Sequence, residues 1–239
     1  MSCQNEFGQP IGEPVPNWQV PPFPERRVLT GRTCVLEPLH PERHAHNLFE
    51  ANRADDGRMW TYLSYGPFET LDEYRAWLAA TCQGSDPLFY AIVSQKTEHA
   101  AGLASYLRIT PESGSLEIGH LAFSPQLQAT TAATEALYLL MKHTFDLGYR
   151  RCEWKCDALN EKSRRAAQRL GFSFEGVFQQ ATLYKGRNRD TAWYAVTDKE
   201  WTRLEQAFER WLQPENFDPD GKQRLRLSSL SADALEPSR

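Results

Sequence analysis

The stretch from residue 115 to residue 171 constrains this chain most. It reads strand, helix, strand, helix, with a glycine closing each helix. "SLEIGHLAFS" (115–124) is an apolar run of strand length, and "TAATEALYLLMKHTFDLG" (131–148) is a helix stopped by Gly148. "RRCEWKCDA" (150–158) is a second strand, and "NEKSRRAAQRLG" (160–171) a second helix stopped by Gly171. Upstream, "LFYAIVSQ" (88–95) and "AGLASYLRIT" (101–110) precede the first of these strands. Only the short polar turns "KTEH" and "PESG" separate the three, so they form an antiparallel meander. A meander followed by β-α-β-α-β-β requires a mixed sheet with helices on both faces, an α/β (α+β) fold.

The remaining elements fit around that core. Residues 33–39 read as a strand, and residues 41–54 as a helix with Pro41 in its first turn. Thr70 and Glu73 form a capping box for a helix over 70–82, whose apolar stripe is Leu71, Tyr74, Trp77 and Leu78. Strands at 172–184 and 190–197 flank the basic turn "KGRNR" (185–189), in which Arg189 is expected to pair with Asp190. A last helix covers 198–212. Residues 1–26 are proline-rich and predict an extended arm, pinned by Trp18 and Phe23. Residues 27–212 form one domain, and the polar tail 213–239 is expected to be loosely attached or disordered.

The net charge of −4 gives no bulk electrostatic reason to expect nucleic acid or an anionic membrane as partner. "KGRNR" alone is a weak nucleic-acid signal. No apolar run reaches the roughly 18 residues of a membrane span, and no secretory signal is evident. The five cysteines include no C-x-x-C pair, and Cys152 and Cys156 share one strand face. Without further ligands nearby they predict thiols rather than a metal site, and a reducing cytoplasm.

Three ordered pieces carry a family resemblance: "LEIGHLAFSPQLQATTAATEAL", "DALNEKSRRAAQRLGFSFEG" and "KGRNRDTAWYAV". Together they resemble the GNAT superfamily of acyl-CoA-dependent N-acyltransferases, and within it the branch of ribosomal-protein N-terminal alanine acetyltransferases. The resemblance implies a mostly antiparallel sheet that splays, an acetyl-CoA co-substrate, no metal, and an amine acceptor that is a small molecule or a protein N-terminus. Many relatives are dimers, which allows a homodimer.

In that family a glycine-rich loop offers backbone N–H groups to the pyrophosphate of coenzyme A. The aligned residues here are Gln128, Ala129, Thr130, Thr131, Ala132 and Ala133, with Ala129 and Thr131 in place of two glycines. A helix N-terminus keeps its unpaired donors and positive dipole end whatever its side chains. Alanine and threonine adopt positive φ only at a cost, so the loop is expected to take another backbone path or bind less well. The latter outcome would fit a non-catalytic protein that binds an acyl-CoA or a partner.

The resemblance also implies that pantetheine pairs with backbone groups of Leu121, Ala122 and Phe123, with Gly119 marking the bulge where the strands part. Asn160 is implied as a coenzyme contact, although it is equally suited to capping a helix. Ser163 is implied near the sulfur, as a contact or a donor to the leaving thiolate. Glu117 lies on the splayed strand, where a carboxylate can take the amine's proton. His120 titrates near neutrality but is expected to point to the opposite face from Glu117. Trp60, Tyr62, Tyr65 and Phe68 cluster in a Gly/Pro-containing loop and are candidates for the acceptor wall.

Overall fold

The computed structural model describes residues 3–236. Residues 1, 2 and 237–239 of the expected arm and tail lie outside the described residues. The strands are β1 (Cys3–Gln4), β2 (Pro10–Ile11), β3 (Leu29–Thr30), β4 (Cys34–Pro38), β5 (Leu88–Ser94), β6 (Ala100–Thr110), β7 (Ser115–Phe123), β8 (Arg151–Asp157), β9 (Ser173–Tyr184) and β10 (Arg187–Thr197). The helices are α1 (Pro41–Asn52), α2 (Leu71–Thr81), α3 (Thr131–Asp146), α4 (Glu161–Arg169), α5 (Asp198–Leu212) and α6 (Leu227–Leu235).

Eight strands form one sheet in the order β3-β4-β5-β6-β7-β8-β10-β9. Every pairing is antiparallel except β7 with β8, because α3 crosses over between those two. Strand alternation divides the apolar residues between two layers. On one face Phe89, Ala91, Leu103 and Ala122 pack under α1 and α2. On the other, Tyr90, Ile92, Tyr106 and Ile118 pack under α3 and α5. The capping box of α2 is formed in full, with Thr70 and Glu73 bonded reciprocally.

Three local expectations are revised. The tail is ordered up to residue 236: α6 packs on α5, burying Leu227 and Ser231, and the Ser231 hydroxyl donates to the carbonyl of Arg169. Its short apolar pattern gains meaning only against a partner helix. The arm carries the small β1–β2 hairpin and is pinned by Trp18, whose ring takes the Arg150 guanidinium at 5.8 Å, while Phe23 remains exposed. The basic turn shrinks to Lys185 and Gly186, so Arg187, Asn188 and Arg189 belong to β10.

A buried carboxylate ties α3 to the β3–β4 turn. Glu135 accepts from the amides of Arg32 (2.8 Å) and Thr33 (2.6 Å) and from the Thr33 hydroxyl. A Cβ at Gly31 would sit 2.6 Å from its Cδ, so a larger residue there would push the carboxylate out of this arrangement. Loss of a buried charged acceptor leaves these donors unpaired, at about 1–3 kcal/mol each. With three donors affected, Glu135→Ala is therefore expected to lower the unfolding free energy by roughly 3 kcal/mol, the low end of the sum. Urea denaturation checks this, and an unchanged midpoint would show the clamp to be dispensable.

Candidate active site

The parallel pairing of β7 with β8 covers only Ser115 with Arg151, Leu116 with Cys152 and Glu117 with Glu153. Beyond it β7 continues to Phe123 and β8 to Asp157 without touching, and a cleft of about 200 Å³ opens between them. The far edge of β7 therefore presents alternate backbone N–H and C=O groups to the cleft, available to an extended ligand.

A bulge shapes this edge. The register with β6 steps from Leu103 opposite Ala122 to Ser105 opposite Gly119, so His120 and Leu121 together face Ala104. The left-handed residue is His120, at φ +50°, and not the glycine beside it. Gly119 serves space instead: a Cβ there would lie 2.9 Å from Leu107 Cδ2 and 3.2 Å from Glu117 Oε1. The extra residue also cancels the expected alternation, and Glu117 and His120 both line the cleft.

Glu117 is only 4% exposed. Its Oε2 accepts from Arg108 Nε at 2.8 Å and lies 3.4 Å from Lys155 Nζ. Lys155 Nζ also meets Glu153 Oε2 at 2.7 Å and sits 3.5 Å from the Trp193 ring centroid. Burial pushes the Glu117 carboxyl above its ordinary range, and the two cations offset only part of that rise. Its Oε1 accepts from no donor among the described residues. His120 packs against Phe89 and Tyr65, with ring centroids 5.0 and 5.7 Å away. Burial first, and then the Arg189 charge, push its pKa down to about 4, so the imidazole is neutral at pH 7.

Asn160 caps α4, its Oδ1 accepting from the Ser163 amide at 3.1 Å. Trp154 Nε1 donates to Ser163 Oγ at 3.0 Å. That bond uses a hydroxyl lone pair, and the Ser163 hydroxyl keeps its own proton to donate, with the Cys156 thiol beside it. Both Asn160 and Ser163 line the cleft.

At the foot of the cleft edge, β7 runs into α3. Thr130 is the N-cap, accepting from the Ala133 amide at 3.1 Å and donating to the Leu127 carbonyl at 2.7 Å. The Ala133 amide is thus already used, contrary to its expected place in a phosphate cradle. The Gln128 amide bonds Ser124, and the Gln128 side chain donates to the Phe123 carbonyl at 2.8 Å. Among the described residues, the amides of Ala129, Thr131 and Ala132 have no acceptor. Ala129 stands at φ +59°. The loop therefore follows the glycine-type path after all, at a cost of about 1–2 kcal/mol for an L-residue. Three free amides beside an open strand edge fit a diphosphate and its pantetheine arm.

The aromatic loop divides. Tyr62 and Tyr65 line the cleft, whereas Trp60 and Phe68 do not. Their rings pack on each other at 5.6 Å, and Trp60 is 6% exposed, because large apolar rings gain most from full burial. Residues of the β9–β10 hairpin clamp this loop: Lys185 Nζ donates to the Trp60 carbonyl and Arg187 Nη2 to that of Thr61, each at 2.8 Å. The expected Arg189–Asp190 pair does not form. Adjacent strand residues point to opposite faces, and Asp190 instead accepts from the Gln180 amide and the Asn188 side chain. Sequence reasoning missed Arg108 and Lys155 as cleft residues, and set Arg189 aside by preferring its pairing with Asp190 to a place in the acceptor site. A lysine midway along the otherwise largely buried strand "RCEWKCD" was the one available signal.

The split sheet, the bulged strand and the amides at the start of α3 define an acyl-coenzyme A transferase architecture. The chain matches the family model described as "Acetyltransferase (GNAT) domain" over residues 34–173. It is 44% identical to a GCN5-related N-acetyltransferase from Brucella melitensis, covering 91% of this chain and 100% of that one at a TM-score of 0.89. It is 41% identical to a protein from Chromobacterium violaceum described as a probable acetyltransferase of the GNAT family, with coverages of 81% and 98% and a TM-score of 0.76. RimL, described as a ribosomal L7/L12 α-N-protein acetyltransferase, shares the fold at 24% identity, coverages of 72% and 94% and a TM-score of 0.62. No curated protein matches the chain. The chain belongs to the GNAT family of acetyltransferases.

The left-handed Ala129 gives a direct check. Ala129→Gly is expected to raise the urea midpoint, because relief of positive-φ strain outweighs the added freedom of the unfolded chain. A loss of about 0.5–1 kcal/mol, as for glycine in an ordinary backbone position, would contradict the assigned conformation.

Proposed function

We propose that this protein transfers an acetyl group from acetyl-CoA to a primary amine by direct attack in a ternary complex. The observation that carries the reading is an unpaired strand edge that lines a cleft beside a buried carboxylate with one free oxygen, and that runs on into three free amides at the start of α3. When bound, the coenzyme supplies an acetyl group activated as a thioester. The amides of Ala129, Thr131 and Ala132 are assigned to its diphosphate, and the edge at Leu121, Ala122 and Phe123 to its pantetheine arm. Ser163 is assigned to hold a proton for the departing sulfur.

The acceptor must arrive as a neutral amine. Arg108, Lys155 and Arg189 line the cleft and disfavour an ammonium there. Glu117 Oε1 is assigned to take the proton, directly or through one water, and its raised pKa brings it nearer to the working pH. His120, with a pKa of about 4, is too weak a base for that role and is assigned to shape the wall with Tyr65 and Tyr62. The acceptor itself is a small molecule or a protein N-terminus. A non-catalytic reading was motivated by the missing glycines, and the glycine-type path of Ala129 removes much of that motive. All five cysteines are free thiols, which suits a reducing compartment such as the cytoplasm.

The test is thiol release from acetyl-CoA across a panel of primary amines as a function of pH. A carboxylate base works only when ionised, so kcat/KM is expected to rise with pH through the Glu117 pKa, which lies above the ordinary 4.5. Glu117→Gln is expected to lose that limb and about 10²–10⁴ of the rate. Coenzyme binding without amine-dependent thiol release would instead establish a non-catalytic binder.

A further inference from the structure

Arg189 is the cleft cation that the proposed chemistry leaves without work. Its neighbours in the cleft, Arg108 and Lys155, are both paired with Glu117, and Lys155 also with Glu153. Arg189 makes no ion pair among the described residues, and its Nε is buried without an acceptor. The nearby carboxylates are committed elsewhere. Asp190 faces the Gln180 amide and the Asn188 side chain. Asp157 accepts from the Tyr184 hydroxyl at 2.7 Å and from the Leu159 amide at 2.8 Å. The guanidinium instead lies 5.9 Å from the Tyr184 ring centroid, a contact that occupies none of its N–H donors.

A guanidinium is always charged, and a partly buried one without a counter-ion is costly. Its planar fork of donors matches a carboxylate or a phosphate bidentately. The pyrophosphate amides at Ala129, Thr131 and Ala132 are not among the groups lining this cleft, whereas His120, Tyr62 and Tyr65 are. Arg189 therefore faces the acceptor's end of the site and not the coenzyme's diphosphate.

We propose that Arg189 recognises an anionic group on the acceptor, so that the preferred substrates are primary amines bearing a carboxylate or a phosphate near the amino group. This rests on the acetyltransferase reading and narrows it to one substrate class. The anion neutralises the half-buried cation, fixes the acceptor in two directions, and holds its amine on the Glu117 side of the cleft. A cationic or neutral amine of the same size leaves the guanidinium desolvated and unpaired. Discrimination then comes as much from that penalty as from the new bonds.

The experiment uses matched pairs: glycine with glycinamide for the carboxylate, and O-phosphoethanolamine with ethanolamine for the phosphate. Thiol release from acetyl-CoA gives kcat/KM for each member with the wild type, Arg189→Gln and Arg189→Lys. Taking the ratio within each pair, and then between proteins, cancels intrinsic differences in amine reactivity. For at least one pair the anionic-to-neutral ratio is expected to fall about 10- to 100-fold in Arg189→Gln, the value of one charge-assisted contact. The change should appear mainly in KM, with part of it restored in Arg189→Lys. Which pair responds separates carboxylate from phosphate recognition. Equal ratios in wild type and Arg189→Gln for both pairs would overturn the proposal.

A binding arm keeps the proposal separate from the activity. With desulfo-CoA present, the Arg189 Nε–H and His120 ring resonances are followed by NMR during titration with the same four compounds. Perturbation by an anionic member and not its neutral mate supports the proposal even if no amine is turned over, a result that would sink only the catalytic reading. Identical responses within both pairs overturn it.

Discussion

Parallel pairing between β7 and β8 lasts three residue pairs, and the site exists because it stops there. A sheet that opens leaves backbone donors and acceptors without partners, and such groups are tolerated only where water or a ligand reaches them. Here the open edge lies against the cleft. On the other side of each strand pairing continues: β6 holds β7 on both sides of its bulge, and β10 holds β8 without a break from Arg151 to Asp157. The strands can therefore part without unravelling the sheet. Helices packed on both faces fix how far they part.

The charges follow from the same opening. Glu117 and Glu153 are the last residues joined across the split, and Lys155, two residues beyond, reaches back to both. A buried lysine between two carboxylates, over the face of Trp193, turns the end of the pairing into a small polar junction. The bulge at His120 and Leu121 then brings a second titratable side chain to the same wall. One inserted residue thus decides whether Glu117 and His120 share a site.

Much of the fold was legible because its signals are local. The capping box of Thr70 and Glu73, the glycine stops of α3 and α4, and the short turns of the meander each specify a structure within a few residues. Asn160 and Ser163 were singled out by the family resemblance instead, and both line the cleft. The features that escaped depend on distant partners. The bulge was expected at Gly119, but register against β6 sets it at His120 and Leu121; likewise α5 sets the order of α6, and Phe68 the burial of Trp60. Arg189 and Asp190 were paired on sequence adjacency, which strand geometry forbids. The conformation of Ala129 was also misjudged: a residue that dislikes positive φ still adopts it when the Thr130 cap and the Ser124 turn determine the path on either side.

The central claim is that the open edge of β7 and the start of α3 form one continuous binding surface for coenzyme A. Backbone amide NMR with desulfo-CoA, which cannot react, tests it most directly. The account requires the largest shifts at Ala129, Thr131 and Ala132 together with the edge residues Leu121, Ala122 and Phe123, while the capped amide of Ala133 moves less. Shifts scattered elsewhere, or none at millimolar ligand, would contradict it.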